Sequence, residues 1–251
     1  MSKKTRNWII AGAAALLIVG AGSYTLMNNY LGNNVEIEQV IPASGAAATA
    51  PAASNAAGEA GSANTGNTDA GSVTGEELNG LWNITAASKV YFSVTTSRET
   101  VNFENSAVTG NWTINLEEQG SMKGEGTLDL TQINSGNSQR DGHVKQAEFF
   151  NTAEFPQANF TTNSIEGLPS EWTDGTVYDF TMNGTLTVRG VEKEVVFAGK
   201  ALYADKQVKL SATTTVTFAD FGMTNPHSVV LSTENDIAVQ LELVLENQPI
   251  A

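Results

Sequence analysis

The sequence predicts an all-β fold: an eight-stranded antiparallel β-barrel with one short helical insertion, preceded by an apolar N-terminal segment and a long linker. Three observations carry it. From about Leu78 onward apolar residues recur at every second position, helical periodicity is nearly absent outside the N-terminal segment, and the candidate strands are joined by short turns. Strict alternation means strands with one wet face and one dry face. Eight such strands must close or sandwich to cover the dry face, and closing into a barrel also removes the sheet edges. A β-sandwich with a filled core is the competing arrangement.

Taken in order, the chain opens with MSKKTRN, and residues 8–27 then carry no charge. A helix of that length, at about 1.5 Å per residue, matches a hydrocarbon core of about 30 Å. Residues 1–27 are therefore expected to be a basic cytoplasmic tip and a transmembrane anchor, with the rest exported. A signal peptide cleaved near Val19-Gly20-Ala21 is the rival, and it would yield a secreted protein. Residues 28–77 are rich in Ala, Gly, Ser, Asn and Thr and contain acids but no base. Such a segment buries too little to offset the cost of ordering it and reads as a disordered linker. Its random-coil reach, on the order of 35–40 Å, would lift the folded domain of residues 78–251 off a membrane.

Within that domain Val90, Phe92 and Val94 open the first strand, and Val108, Trp112, Ile114 and Leu116 the next. Runs at 126–132, 158–165 and 193–203 are further candidates. Tyr178, Phe180, Met182, Leu186 and Val188 alternate with polar residues, as do Val208, Leu210, Ala212, Val216 and Phe218. Ile237 to Leu245 repeat the pattern near the C-terminus. Closing these strands gives an apolar interior, and Phe92, Trp112, Phe160, Phe180, Met182, Leu186, Phe197 and Phe218 are expected to line it. Each buried CH₂ is worth about 0.8 kcal/mol, so a long hydrocarbon leaves a membrane only for a comparably dry cavity.

Residues 138–160 break the strand pattern with a charged turn, a short helix and four phenylalanines, Phe149, Phe150, Phe155 and Phe160. Arg140, Asp141 and His143 form a polar group beside them. It reads either as a turn held by an ion pair or as the polar rim of a cavity mouth.

The net charge is −14, and the three bases Lys3, Lys4 and Arg6 precede position 8, so the remainder stands three lower, at −17. A surface this acidic repels phosphate backbones, which excludes nucleic acid as partner. With no cysteine, disulfides, thiolate metal sites and thiol nucleophiles are excluded too. There is no G-x-S-x-G elbow, Walker loop or H-E-x-x-H helix. The only histidines are His143 and His227. No catalytic residue, metal site or cofactor is expected, although an enzyme acting on a lipid through Asp141 and His143 stays open, as does a structural or adhesive module with a solid core.

Several motifs in order resemble the YceI-like family of lipid- and polyisoprenoid-binding proteins. They are Trp82-Asn83-Ile84 with Ser88, Val90 and Phe92; Val108-Thr109-Gly110-Asn111-Trp112; and Arg140-Asp141-Gly142-His143-Val144 with Glu148-Phe149-Phe150, Phe155-Pro156 and Phe160. Gly184 to Val191 and Asp220-Phe221-Gly222 complete the set. The resemblance implies a lipocalin-like barrel with a hydrophobic tunnel, exported, holding a polyprenyl chain or isoprenoid quinone as ligand and using no cofactor chemistry. Two departures stand out: Thr85-Ala86-Ala87 replaces an Asp-then-His turn, and Phe218-Ala219 stands where a basic residue usually precedes Asp-Phe-Gly.

Overall fold

In the computed structural model the alternating segments become strands of one antiparallel sheet, and the structure describes residues 32–42, 72–73, 75–226 and 232–247. The first hairpin has two interrupted arms. One arm consists of β1 (Gly80–Ile84) and β2 (Lys89–Thr96), the other of β3 (Thr100–Asn105) and β4 (Val108–Ile114). Gly80 faces Ile114 at one end and Thr95 faces Thr100 at the other. Ser88 holds the break in the first arm: its hydroxyl donates to the Val244 carbonyl at 3.2 Å and accepts from the Val244 N–H at 2.9 Å. A side chain thus stands in for the missing ladder bonds, so the buried backbone there stays satisfied.

The remaining strands are β5 (Lys123–Asp129), β6 (Gln157–Glu166), β7 (Val177–Val188), β8 (Val191–Ala204), β9 (Gln207–Thr217) and β10 (Thr233–Asn247). Each pairs with its neighbour in sequence, and β10 pairs with β9 on one side and with β1 and β2 on the other. The ring is therefore closed, with the two hairpin arms and six further strands making eight staves. Closure removes the sandwich alternative. The β8–β9 hairpin turns on Asp205 and Lys206, both at positive φ (56° and 61°), a two-residue turn whose twist suits the flanking strands. A bulge between Thr162 and Ser164 bends β6 against β7. Helix α1 (Ser138–Val144) lies in the long β5–β6 connection, with the Asn137 side chain accepting from the Gln139 and Arg140 N–H groups as its N-cap.

The linker expected over 28–77 is different at both ends. Residues 32–42 pack along the outside of the barrel, with Val35 and Ile41 buried. Asn33 accepts from the Asn102 N–H on the free edge of β3, and the Val40 N–H donates to buried Glu242 at 2.8 Å. Lys89 bridges Glu38 and Glu104 at 2.7 and 3.0 Å, and its pKa is raised first by the Glu38 contact and then by Glu104. The physical reason is a short apolar pattern (Val35, Ile37, Ile41) masked by the bland sequence after it, together with a sheet edge that needs covering. At the other end Ser72–Val73 pairs with Trp172–Thr173, and Leu78 is fully buried. The expected membrane span at 8–27 and His227 lie outside the described residues. Among the described residues no helix is long and apolar enough to cross a membrane.

Beyond β9 the chain turns through Ala219–Phe221, where Asp220 accepts from Lys193 Nζ at 2.6 Å and from the Thr217 N–H at 2.9 Å. Lys193, then the Thr217 N–H, holds the Asp220 carboxyl below the usual carboxylate range. A depressed folded-state pKa contributes stability that is present above the unfolded value, about 3.9, and lost as pH falls through the folded one. Asp220→Asn is expected to lower stability by about 1–2 kcal/mol at neutral pH. In urea titrations the deficit should shrink toward zero as the buffer is taken below the Asp220 pKa.

Candidate functional site

The barrel interior has two unlike halves. At the end where β4 and β6 finish and β9 begins, Trp82, Trp172, Met122 and Leu78 are almost wholly buried. They leave a void of only about 20 Å³. Each indole N–H has a carbonyl partner, Leu78 for Trp82 at 2.7 Å and Pro169 for Trp172 at 3.1 Å, as buried tryptophan requires. This end is plugged.

The other half encloses a cavity of about 120 Å³ walled by side chains from every stave, including Val108, Trp112, Phe160, Leu186, Phe197, Val216 and Leu241. Thr127 and Asn159, the polar residues at its wall, bond each other at 2.9 Å on the exposed face of the sheet. It continues into an outer chamber of about 200 Å³ that shares Phe92, Phe150, Met223 and Ile237 with it. Thr96, Arg140, His143, Pro226 and Thr233 stand in the wall of the outer chamber. A water needs about 10–15 Å³ and two to four polar partners. The inner cavity has the room and lacks the partners. Its empty volume is destabilising by about 24 cal/mol per Å³, a deficit that a hydrocarbon occupant offsets.

Of the residues expected to line the tunnel, Phe92, Trp112, Phe160, Leu186 and Phe197 face the inner cavity and Phe218 the outer chamber. Phe180 and Met182 do not, which corrects that expectation. Both are buried, but in the half of β7 nearer the plug, where Met182 pairs with Ile165 on β6 and Phe197 on β8. Alternation fixes which face a side chain takes; it carries no information on depth along the barrel. The reading also missed wall residues outside regular strands, notably Phe221 and Met223. Phe221 was marked by the Asp-Phe-Gly motif: Asp220 ties the turn down, Phe221 enters the cavity wall, and Gly222 takes the left-handed conformation (φ 66°) that ends the turn.

Aromatic contacts fix the wall. Phe92 stacks on Phe103 (centroids 4.5 Å apart, 7° between planes) and meets the edge of Phe150 at 5.3 Å. Phe160 meets Phe197 edge-on at 5.3 Å and packs against Gly184, whose missing Cβ leaves the space its ring occupies. At the mouth, Arg140 and His143 border the outer chamber, and the His143 ring packs against Phe149 at 4.9 Å. Arg140 Nη2 donates to the Gly32 carbonyl at 2.8 Å. Asp141 faces elsewhere: its carboxylate accepts from the Ser135 N–H at 2.8 Å and hydroxyl at 2.6 Å, anchoring α1 to the preceding loop. The expectation that all three form the cavity rim is corrected for Asp141. Among the described residues no group of three His, Asp or Glu side chains is arranged to hold a metal ion.

The fold is a closed antiparallel barrel whose apolar cavity lies toward the end bordered by the short helix α1. The family model for the YceI-like domain matches residues 82–245, and the chain belongs to that family. It is 33% identical over 93 residues to Protein YceI of Escherichia coli O157:H7, a match covering 37% of this chain and 44% of that one. An UPF0312 protein of Pseudomonas putida (strain GB-1) is 27% identical over 137 residues, with 52% and 68% covered. The chain thus matches less than half the length of the E. coli protein. Among solved structures, a polyisoprenoid binding domain from Saccharophagus degradans aligns with a TM-score of 0.55 at 16% identity, covering 66% of this chain and 98% of that one. Burkholderia cenocepacia BcnA aligns at 0.56 and 14%, covering 64% and 98%. At these identities the structures establish the shared fold.

Adding a methyl at Gly184 would drive it into the Phe160 ring and the Thr161 carbonyl. Gly184→Ala is expected to destabilise the barrel by about 1–3 kcal/mol and to push Phe160 into the cavity, which urea unfolding and a crystal structure of the variant would both register.

Proposed function

We propose that this domain holds an isoprenoid lipid, a polyprenyl chain or an isoprenoid quinone, outside the cytoplasm, and that residues 8–27 keep it on a membrane. The observation that carries this reading is the inner cavity, too large for a packed core and too apolar for water. The tail would fill the inner cavity and outer chamber, and its polar head would stop at the mouth beside Arg140 and His143. The polyisoprenoid binding domain of the S. degradans neighbour supports the choice of lipid class. A cavity of this size weighs against a solid-core adhesive module. Nothing at the site calls for catalysis, since the Asp141 carboxylate already serves Ser135.

Native mass spectrometry of the gently purified protein should show a co-purifying lipid or uptake of added polyprenyl quinone. Neither appearing would sink the proposal. Ala158 lies in the inner wall and is buried, so Ala158→Phe places a ring in the cavity. It should lower quinone uptake at least about tenfold, the loss of a few CH₂ groups' transfer energy, while the circular dichroism of the barrel stays unchanged.

A further inference from the structure

The course of residues 32–42 over the barrel carries a conclusion about where the cavity opens. We propose that this segment is a strap that fixes the mouth of the barrel against the membrane carrying the chain, so that lipid passes between bilayer and cavity without crossing water. The inference rests on the anchor reading of residues 8–27 given above.

The strap begins at the mouth. Gly32 accepts from Arg140, which borders the outer chamber, and Asn34 lies against Gly136 just before α1. It then runs away from the mouth across the outer wall. Asn33 and Val35 bond both the backbone and side chain of Asn102 on β3, at 2.9 Å each. Glu38 reaches Tyr91 and Lys89 on β2. Val40 reaches Glu242 on β10, which also accepts from Ser211 and Gln240. The chain next appears at Ser72–Val73, paired at the plugged end. The long bland stretch 43–71 therefore lies between two segments that are both held on the barrel. It cannot act as the spacer between membrane and domain.

What remains as spacer is residues 28–31. Five Cα steps from Met27 to Gly32 span at most about 18 Å when fully extended. A membrane span ending near Met27 thus holds the Gly32–Arg140 contact, and the opening beside it, within that distance of the bilayer surface. The plugged end points away.

The chain has no cysteine, so one introduced cysteine gives a unique label. Gln146, exposed just after α1, reports the mouth, and Glu118, exposed beside the plug, reports the far end. The full chain carrying Gln146→Cys or Glu118→Cys, labelled with a fluorophore, is reconstituted in phosphatidylcholine vesicles that contain a headgroup-nitroxide lipid. The expected result is severalfold stronger quenching at 146 than at 118. Inserting about 20 Gly/Ser residues between Met27 and Gly32, a random-coil reach of about 25 Å, should abolish the contrast and leave quinone uptake intact. Equal quenching at the two positions, or a contrast that survives the insertion, overturns the strap proposal while the anchor reading stands. A chain that fails to float with the vesicles overturns both.

Discussion

The structure depends on one long strand being paired along both edges. β10, Thr233–Asn247, joins β9 on one side and both pieces of the first arm on the other. Without that double pairing the sheet would have two free edges and its dry face would have to find another partner. With it, Ile237, Val239, Leu241 and Leu243 turn into an enclosed space, and all four border the inner cavity. The outer side of the same strand meets a second demand. Glu242 is fully buried there, which is tolerable because its carboxylate accepts from Ser211, Gln240 and the Val40 N–H. Closure and the seating of the strap are thus two faces of one strand.

The two halves of the barrel show how one pattern yields two outcomes. Both are lined by alternating apolar residues, but the plugged half also receives Trp172 and Leu78 from segments outside the barrel staves. The open half receives Phe150 and Phe221, which line the space without filling it. Large side chains at Trp82 and Trp172 exclude a ligand by volume. Gly126 and Ala158, small residues in the wall of the open half, leave it room. Depth of the site is set by side-chain size along the strand rather than by its polarity.

That distinction explains what was legible in advance. Period-two alternation gave the strands and the all-β class, because it follows from backbone geometry alone. Phe160, Leu186 and Phe197 stand in the wall of the inner cavity, on the face that alternation assigns them. Phe180 and Met182 fall outside the cavity wall because nothing local to β7 reports what β6 and β8 put opposite them. The strap escaped notice since Gly32–Pro42 is short, polar in half its positions and followed by a compositionally bland run. Its partners are Asn102, Lys89, Arg140 and Glu242, remote in sequence, and long-range polar contacts leave no periodic trace. Asp141 reads in the sequence either as part of a turn or as rim chemistry, and its bonds to Ser135 make it a joint between the helix and the loop before it.

The stretch 43–71 is pinned at Val40–Ile41 on one side and at Ser72 on the other, so its ends are set by the barrel whatever it contains. Closure entropy grows only with the logarithm of length, and doubling such a stretch costs about 0.6 kcal/mol. Its length and composition are therefore nearly free thermodynamic variables. Evolution, or an engineer inserting a reporter or a second domain, can rewrite this part of the chain with little effect on the strands around it.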